Sequence, residues 1–140
     1  YSGLARIEVG CWRTAKTGTM RVVSGPHGRQ KVHVEAPPAG RMAREMRDFL
    51  AWVDGDVPLD PVVRSGLAHL WFVTVHPFAD GNGRLARAIG DLALARVDGQ
   101  QGRFYSVSAQ IARERADYYD MLERTQRGTL DVTAWLGWYV

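Results

Sequence analysis

The sequence predicts a mainly α domain, and three observations carry that expectation. Four stretches repeat apolar residues at the three- and four-residue steps of a helix. One pair of short alternating runs, separated by a link rich in glycine and proline, supplies the strand signal. Capping residues, prolines and glycines fall at the edges of the helical stretches. With 140 residues, 46% of them hydrophobic and 24% charged, the chain is expected to form one domain over 1–140.

The elements follow in order. TMRVV and KVHVE flank SGPHGRQ at 19–35, which reads as a β-hairpin with a long tip. Ala36-Pro37-Pro38 breaks the second strand. From Pro38 or Ala39 a helix is expected, with Met42, Met46, Phe49, Leu50 and Val53 on its apolar side and Asp54-Gly55 at its end. Asp60 is a good N-cap and Pro61 suits the first helical position, so a second helix starts there. Val63, Leu67, Leu70, Trp71 and Thr74 share one of its faces. It must stop near Val75, because Pro77 pushes the residue before it out of the helical region. A third helix is expected from about Arg84 to Val97, burying Leu85, Ile89 and Leu92. A fourth follows a cap at Ser106 or Ser108, places Ile111, Tyr118 and Leu122 inward, and closes at Gly128. Asp131 could cap one more helix through AWLGWYV. His69, inside the second helix, reads as an ordinary packed histidine.

Residues 76–87, HPFADGNGRLAR, concentrate the groups that phosphate chemistry needs. Gly81 and Gly83 allow unusual dihedrals and leave backbone N–H groups open to a ligand. They lead into the third helix, whose first N–H groups lack internal acceptors and carry the positive end of the dipole. Arg84 and Arg87 lie three apart, so both planar donor forks project from one face. Asp80 offers one carboxylate to Mg²⁺, a cation that takes most of its other oxygens from phosphate and water. His76, just past the second helix, has an ordinary pKa suited to taking a proton from a hydroxyl. Each residue alone has a structural reading; their concentration in twelve residues does not.

Other glycine motifs fit less well. A P-loop needs GxxxxGK(S/T), and neither Lys16 nor Lys31 follows a glycine. GNGRLA fits the loose pattern GxGxx(G/A), with Asp98 as a ribose acid, but that fingerprint must follow directly on a strand. Here a helical stretch precedes it. The pI near 9.4 raises nucleic-acid binding, yet the net charge is only +3 and the arginines are scattered from Arg6 to Arg127. No apolar run approaches the ~18 residues of a membrane span. The single cysteine, Cys11, and the lack of a visible secretory signal agree with a cytoplasmic setting.

HPFADGNGRLAR resembles the defining motif of Fic-family proteins, HxFx(D/E)GNGRxxR, with no mismatch. The hairpin looks like the family's flap, PLDPVVRSGLAHLWFVTV like the helix before the motif, and RADYYDMLERTQRGTLDVTAWLGWYV like the helices after it. The resemblance implies a Fic (Fido) core of the AMPylator type, moving AMP from ATP to a Ser, Thr or Tyr hydroxyl of a target protein. His76 would be the general base, and Asp80 would hold Mg²⁺ or Mn²⁺ between the α- and β-phosphates. Gly81, Asn82, Gly83 and Arg84 would form the anion hole, and Arg87 would hold the γ-phosphate. Phe78 would anchor the loop. Met20, Arg21, Val22 and Val23, with Lys31, Val32, His33 and Val34, would dock an extended target segment by strand addition. Tyr118, Tyr119 and Gln126 match positions that line the base and ribose pocket in some relatives; packed interhelix side chains are the other reading.

One family feature is missing. Many relatives carry an inhibitory helix with Ser or Thr four residues before a glutamate that pairs with the second arginine of the motif. None of the five glutamates here has that spacing. The expectation is a core excised from a longer protein, with the inhibitor outside this chain or absent. Relatives that phosphorylate replace the second motif glycine with lysine, so Gly83 favours AMP transfer. Another Fic-type transfer, of phosphate or phosphocholine, and removal of AMP are the alternatives, with a non-catalytic nucleotide-binding or nucleic-acid-binding module more distant; His76 with Asp80 argues against pure binding.

Overall fold

The computed structural model describes residues 10–24, 28–98 and 106–140. The tip of the hairpin link at 25–27 lies outside the described residues. Among those described, the elements are β1 (Arg21–Ser24), β2 (Lys31–Glu35), α1 (Met42–Asp54), α2 (Pro61–Val75), α3 (Asn82–Asp98), α4 (Val107–Arg113), α5 (Arg115–Arg127) and α6 (Thr133–Tyr139). Single 3-10 turns at Ala15–Thr17 and Ala39–Arg41 precede the hairpin and α1. The mainly α expectation holds, with six α-helices instead of the four or five read from the sequence.

β1 and β2 form an antiparallel hairpin in which Val22 faces Val34 but Val23 faces Val32. His33 is therefore the extra residue of a β-bulge, and bulges re-aim side chains. His33 turns inward, buried, and stacks on Tyr119 with ring centroids 5.1 Å apart. The hairpin thus lies against α5.

α2 is the central element. Asp60 caps it by accepting from the Val62 and Val63 N–H groups at 2.9 and 3.3 Å, and Pro61 opens it as expected. Its buried residues, Ser65, Gly66, Ala68, His69, Leu70, Phe72, Val73 and Val75, surround the axis instead of keeping to one side. Of Val63, Leu67, Leu70, Trp71 and Thr74, which share one face, only Leu70 is buried and the rest are half-buried. A helix covered by neighbours on several sides loses a one-sided apolar pattern.

α1 packs Met42, Met46 and Phe49 onto it, Phe49 meeting Trp71 edge-on and Phe72 at a tilt, each at 5.6 Å. Burying a side chain such as Phe49 contributes roughly 1.5–3 kcal/mol. Leu50, expected inside, is 46% exposed.

α3 corrects the sequence more sharply. Leu85 and Leu92, expected in the core, are 42% and 48% exposed. The buried stripe is Asn82, Ala86, Gly90 and Leu94, at strict four-residue steps. Small residues win that face because α3 lies close to α2 there: the Ser65 hydroxyl donates to the Gly90 carbonyl at 2.9 Å. A Cβ on Gly90 would come within 2.6 Å of the Tyr139 hydroxyl.

The expected fourth helix is two helices. Ser106 caps α4, accepting from the Ala109 N–H at 3.2 Å, and the chain breaks at Glu114. The Glu114 carboxylate accepts from the Trp138 indole N–H at 3.0 Å, which ties the break to α6. α6 in turn buries Trp135, whose indole N–H donates to the Gly66 carbonyl at 2.9 Å. No helix among the described residues is long and apolar enough to cross a membrane.

Candidate active site

α2 ends where the sequence demands. His76 follows Val75 with φ 51° and ψ 59°, the left-handed region, and is the only non-glycine residue with positive φ among those described. Its N–H donates to the Phe72 carbonyl at 3.0 Å. Its ring Nδ1 lies 3.2 Å from the Val73 carbonyl, which can only accept, so Nδ1 carries the proton and Nε2 presents a bare lone pair. Burial holds the imidazole below the ordinary histidine pKa; the bond to Val73 opposes the shift, and the charge of Arg13 adds to it. A neutral ring with a free Nε2 is the state in which a histidine accepts a proton.

Arg13 escaped the sequence reading. It is 4% exposed, and its guanidinium donates to the carbonyls of His76 at 2.7 Å, Val75 at 3.2 Å and Pro37. Its own N–H donates to the Pro77 carbonyl at 2.8 Å. No periodicity or motif marks an arginine placed some sixty residues from the segment it holds; only the fold brings the two together.

Residues 77–81 form a tight loop. Phe78, half-buried, packs on Phe72 with ring centroids 6.4 Å apart. Gly81 has φ 85°, a value that L side chains rarely adopt. The helical ladder of α3 begins with the Leu85 N–H bonding to the Gly81 carbonyl at 3.0 Å. The N–H groups of Asn82, Gly83 and Arg84 therefore precede the first intrahelical bond and lack acceptors within the helix, the arrangement that suits an anion. The Asn82 side chain is buried and engaged by the loop itself, which leaves its backbone N–H as its contribution to an anion.

Asp80 and Arg84 flank this start, both largely exposed, with Arg84 Nη2 3.4 Å from Asp80 Oδ2. Arg87 donates from Nε to the Gly83 carbonyl at 3.2 Å. Asp80 has one open carboxylate beside backbone donors suited to phosphate, which fits a Mg²⁺ shared with a nucleotide. A second possible ligand group, His33, Asp120 and Glu123, has its atoms within 4.8 Å of one another. Lys31 and Arg127 each bring a charged nitrogen to 3.0 Å from a Glu123 oxygen, so that group reads as an ion-pair network joining hairpin to α5.

Two clefts meet at this point. One, about 270 Å³, is lined by His76, Asp80, Gly81, Asn82, Gly83, Arg84 and Arg87. The other, about 480 Å³, also includes His76, Gly83 and Arg87 and extends to Ile111, Arg115, Tyr118 and Tyr119. Arg21 and Val23 of the hairpin line it as well. Tyr118 and Tyr119 both line this cleft, and Tyr118 is at the same time buried in the core between α2, α5 and α6. Tyr118 is fixed by its hydroxyl, 3.1 Å from His69 Nε2, and Arg115 lies over the Tyr119 ring. Gln126 lines neither cleft; its amide donates to the Thr74 hydroxyl. Lys31 and Val32 are exposed on the hairpin, whereas His33 turns to α5. Met20 closes the hairpin's base, its carbonyl accepting from the Ala36 N–H at 2.9 Å. Ile111 and Arg115 had no signal in the sequence beyond helical spacing.

Residues 4–94 match the model of the Fic/DOC family. The chain belongs to that family. The match takes in the Fic hairpin, α1, α2 and the His76–Arg87 segment. A protein adenylyltransferase of Caenorhabditis elegans is 34% identical over 88 residues, covering 61% of this chain and 16% of that protein. Protein adenylyltransferase Fic of Drosophila melanogaster is 31% identical over 114 residues, covering 78% of this chain and 22% of that protein. The chain therefore spans about a fifth of the length of these relatives. The crystal structure of a Fic family protein from Desulfovibrio desulfuricans matches 99% of this chain and 39% of its own with a TM-score of 0.76 at 32% identity. The Fic fold thus extends through α4, α5 and α6, beyond the family-model match.

Proposed function

We propose that this chain is the core of a protein adenylyltransferase that moves AMP from ATP to a hydroxyl side chain of a target protein. One observation carries the reading. The bare Nε2 belongs to a histidine at the junction of two clefts, one lined by anion donors and the other by aromatic rings.

ATP would lie across both, with its phosphates at the start of α3 and its nucleoside toward Tyr118 and Tyr119. A target hydroxyl gives its proton to His76 Nε2 as its oxygen bonds to the α-phosphorus. The bond from that phosphorus to the bridging oxygen of the β-phosphate breaks, and pyrophosphate leaves. Backbone N–H groups of Asn82, Gly83 and Arg84 face the charge that develops, and Arg87 holds the γ-phosphate. Asp80 would hold Mg²⁺, which when bound neutralises phosphate charge. The hairpin would present the target as an added strand. A glutamate brought to Arg87 from outside these residues would compete with the γ-phosphate and inhibit. Cys11, as the lone cysteine, goes with action in the cytoplasm.

The test is incubation with target proteins and ATP radiolabelled at the α- or the γ-phosphate. Label on protein from the α position alone supports AMP transfer. Label from the γ position alone would mean phosphoryl transfer, and label from neither would refute both.

A further inference from the structure

We infer that Arg13 is a positioning residue for His76, the buried donor that holds the end of α2 in the turn from which the imidazole reaches the cleft. The inference rests on the proposed role of His76 as base.

A helix end leaves its last carbonyls without intrahelical donors. When a helix closes with a left-handed residue, the N–H of the next residue commonly turns back to satisfy one of them. Here the left-handed residue is His76 and the next is Pro77, which has no N–H. The His76 N–H still closes on the Phe72 carbonyl, but the second bond, from the residue after it, is unavailable. The Arg13 guanidinium takes its place, donating to Val75 and to His76 itself. Its third acceptor, Pro37, lies just after β2, and the Arg13 backbone holds Pro77. One side chain therefore ties the end of α2 and the exit of the hairpin together.

A left-handed backbone is uncommon for a residue with a Cβ and persists only where its surroundings impose it. The bond from Nδ1 to the Val73 carbonyl depends on that backbone, because the carbonyl lies three residues back on the helix. If the turn relaxes, the ring loses its fixed tautomer and its aim. Among the described residues, the Arg13 side chain hydrogen-bonds to only one residue that lines the anion cleft, His76, so its loss should leave phosphate binding in place.

The test compares Arg13→Met and Arg13→Lys with the parent protein. Methionine keeps the buried stem without donors; lysine keeps the charge but cannot span the separated carbonyls with a planar fork. Three readouts are taken: circular dichroism for folding, ATP affinity by calorimetry, and the ring tautomer of His76 by nitrogen-15 NMR without nucleotide. The tautomer signal must move from one form to a mixture, with ATP affinity within about threefold. Where transfer is measurable, kcat should fall about 10²-fold with KM for ATP little changed, as for misplacement of a reacting group by about 1 Å. An unchanged His76 tautomer in a folded variant would overturn the inference. So would loss of ATP affinity equal to the loss of kcat, or failure of both variants to fold, which would make Arg13 a general stability residue. A parent protein that transfers no label would refute the proposed function instead, while the tautomer measurement still decides the role of Arg13.

Discussion

The Asn82 side chain accepts from the Phe78 N–H at 2.9 Å and donates to the Phe78 carbonyl at 2.7 Å. One buried amide thus closes both backbone groups of the loop residue that anchors the turn between α2 and α3. Asn82→Ala leaves the two Phe78 groups without that partner, and each unsatisfied buried group costs about 1–3 kcal/mol. The expected result is a lower melting temperature together with weaker ATP binding, because the anion donors follow directly on this loop. Unchanged melting with normal ATP affinity would show that the loop holds its shape without Asn82.

His76 makes a contrasting case. His76→Ala should cut transfer about 10²–10⁴-fold, the range for loss of a general base. ATP affinity, measured by titration calorimetry, should hardly move, since other groups hold the phosphates. Parallel losses of affinity and rate would recast His76 as a binding residue.

For Asp80, the expectation concerns metal. EDTA should abolish transfer, and added Mg²⁺ or Mn²⁺ should restore it. In Asp80→Ala the metal concentration for half-maximal rate should rise steeply. Full activity of that variant at low Mg²⁺ would remove Asp80 from the metal's ligands.

His69 predicts a pH dependence of stability. It is buried among Tyr118, Trp135 and Tyr139, and its Nδ1 has no hydrogen-bond partner among the described residues. Burial, with a smaller push from the charge of Arg87, lowers its pKa from 6.5 to about 3. The folded ring stays neutral while the unfolded ring takes up a proton, so acid favours the unfolded chain. Stability should fall as pH drops from about 6.5 toward 3, with a slope approaching roughly 1.4 kcal/mol per pH unit. Urea unfolding across that window, compared with His69→Phe, isolates the effect from titrating carboxylates. Equal slopes in the two proteins would refute it.

The sequence was most legible where local chemistry decides the outcome. Asp60-Pro61 and His76-Pro77 marked both ends of α2, since caps and prolines act within a few residues. The backbone of the 76–87 segment was readable for the same reason: its turn and the helix start after it are set by Pro77 and Gly81. What escaped depends on distant partners. Leu85 and Leu92 read as core because they are large and well spaced, yet close approach to α2 reserved the inner stripe for Ala86 and Gly90. Nothing in QIARERADYY breaks a helix; the turn at Glu114 is associated with a tertiary bond to Trp138. Gln126 showed the limit of carrying a role over by position, since its amide bonds to Thr74 and lines neither cleft.

The pairing of α2 with α3 has a consequence for the order in which the molecule folds. Among the described residues these helices make the most extensive contact, and they are joined by residues 76–81 alone. Short loops close at low entropic cost, so this helical hairpin is the favoured nucleus. Truncating Val73, inside that nucleus, should slow refolding, whereas Trp135→Phe on the late-docking α6 should chiefly speed unfolding. Arg13 approaches from far upstream and must wait for longer closures. The start of α3 would then take shape early, in the turn of the nucleus, and the aim of the His76 ring would be fixed among the last events of folding.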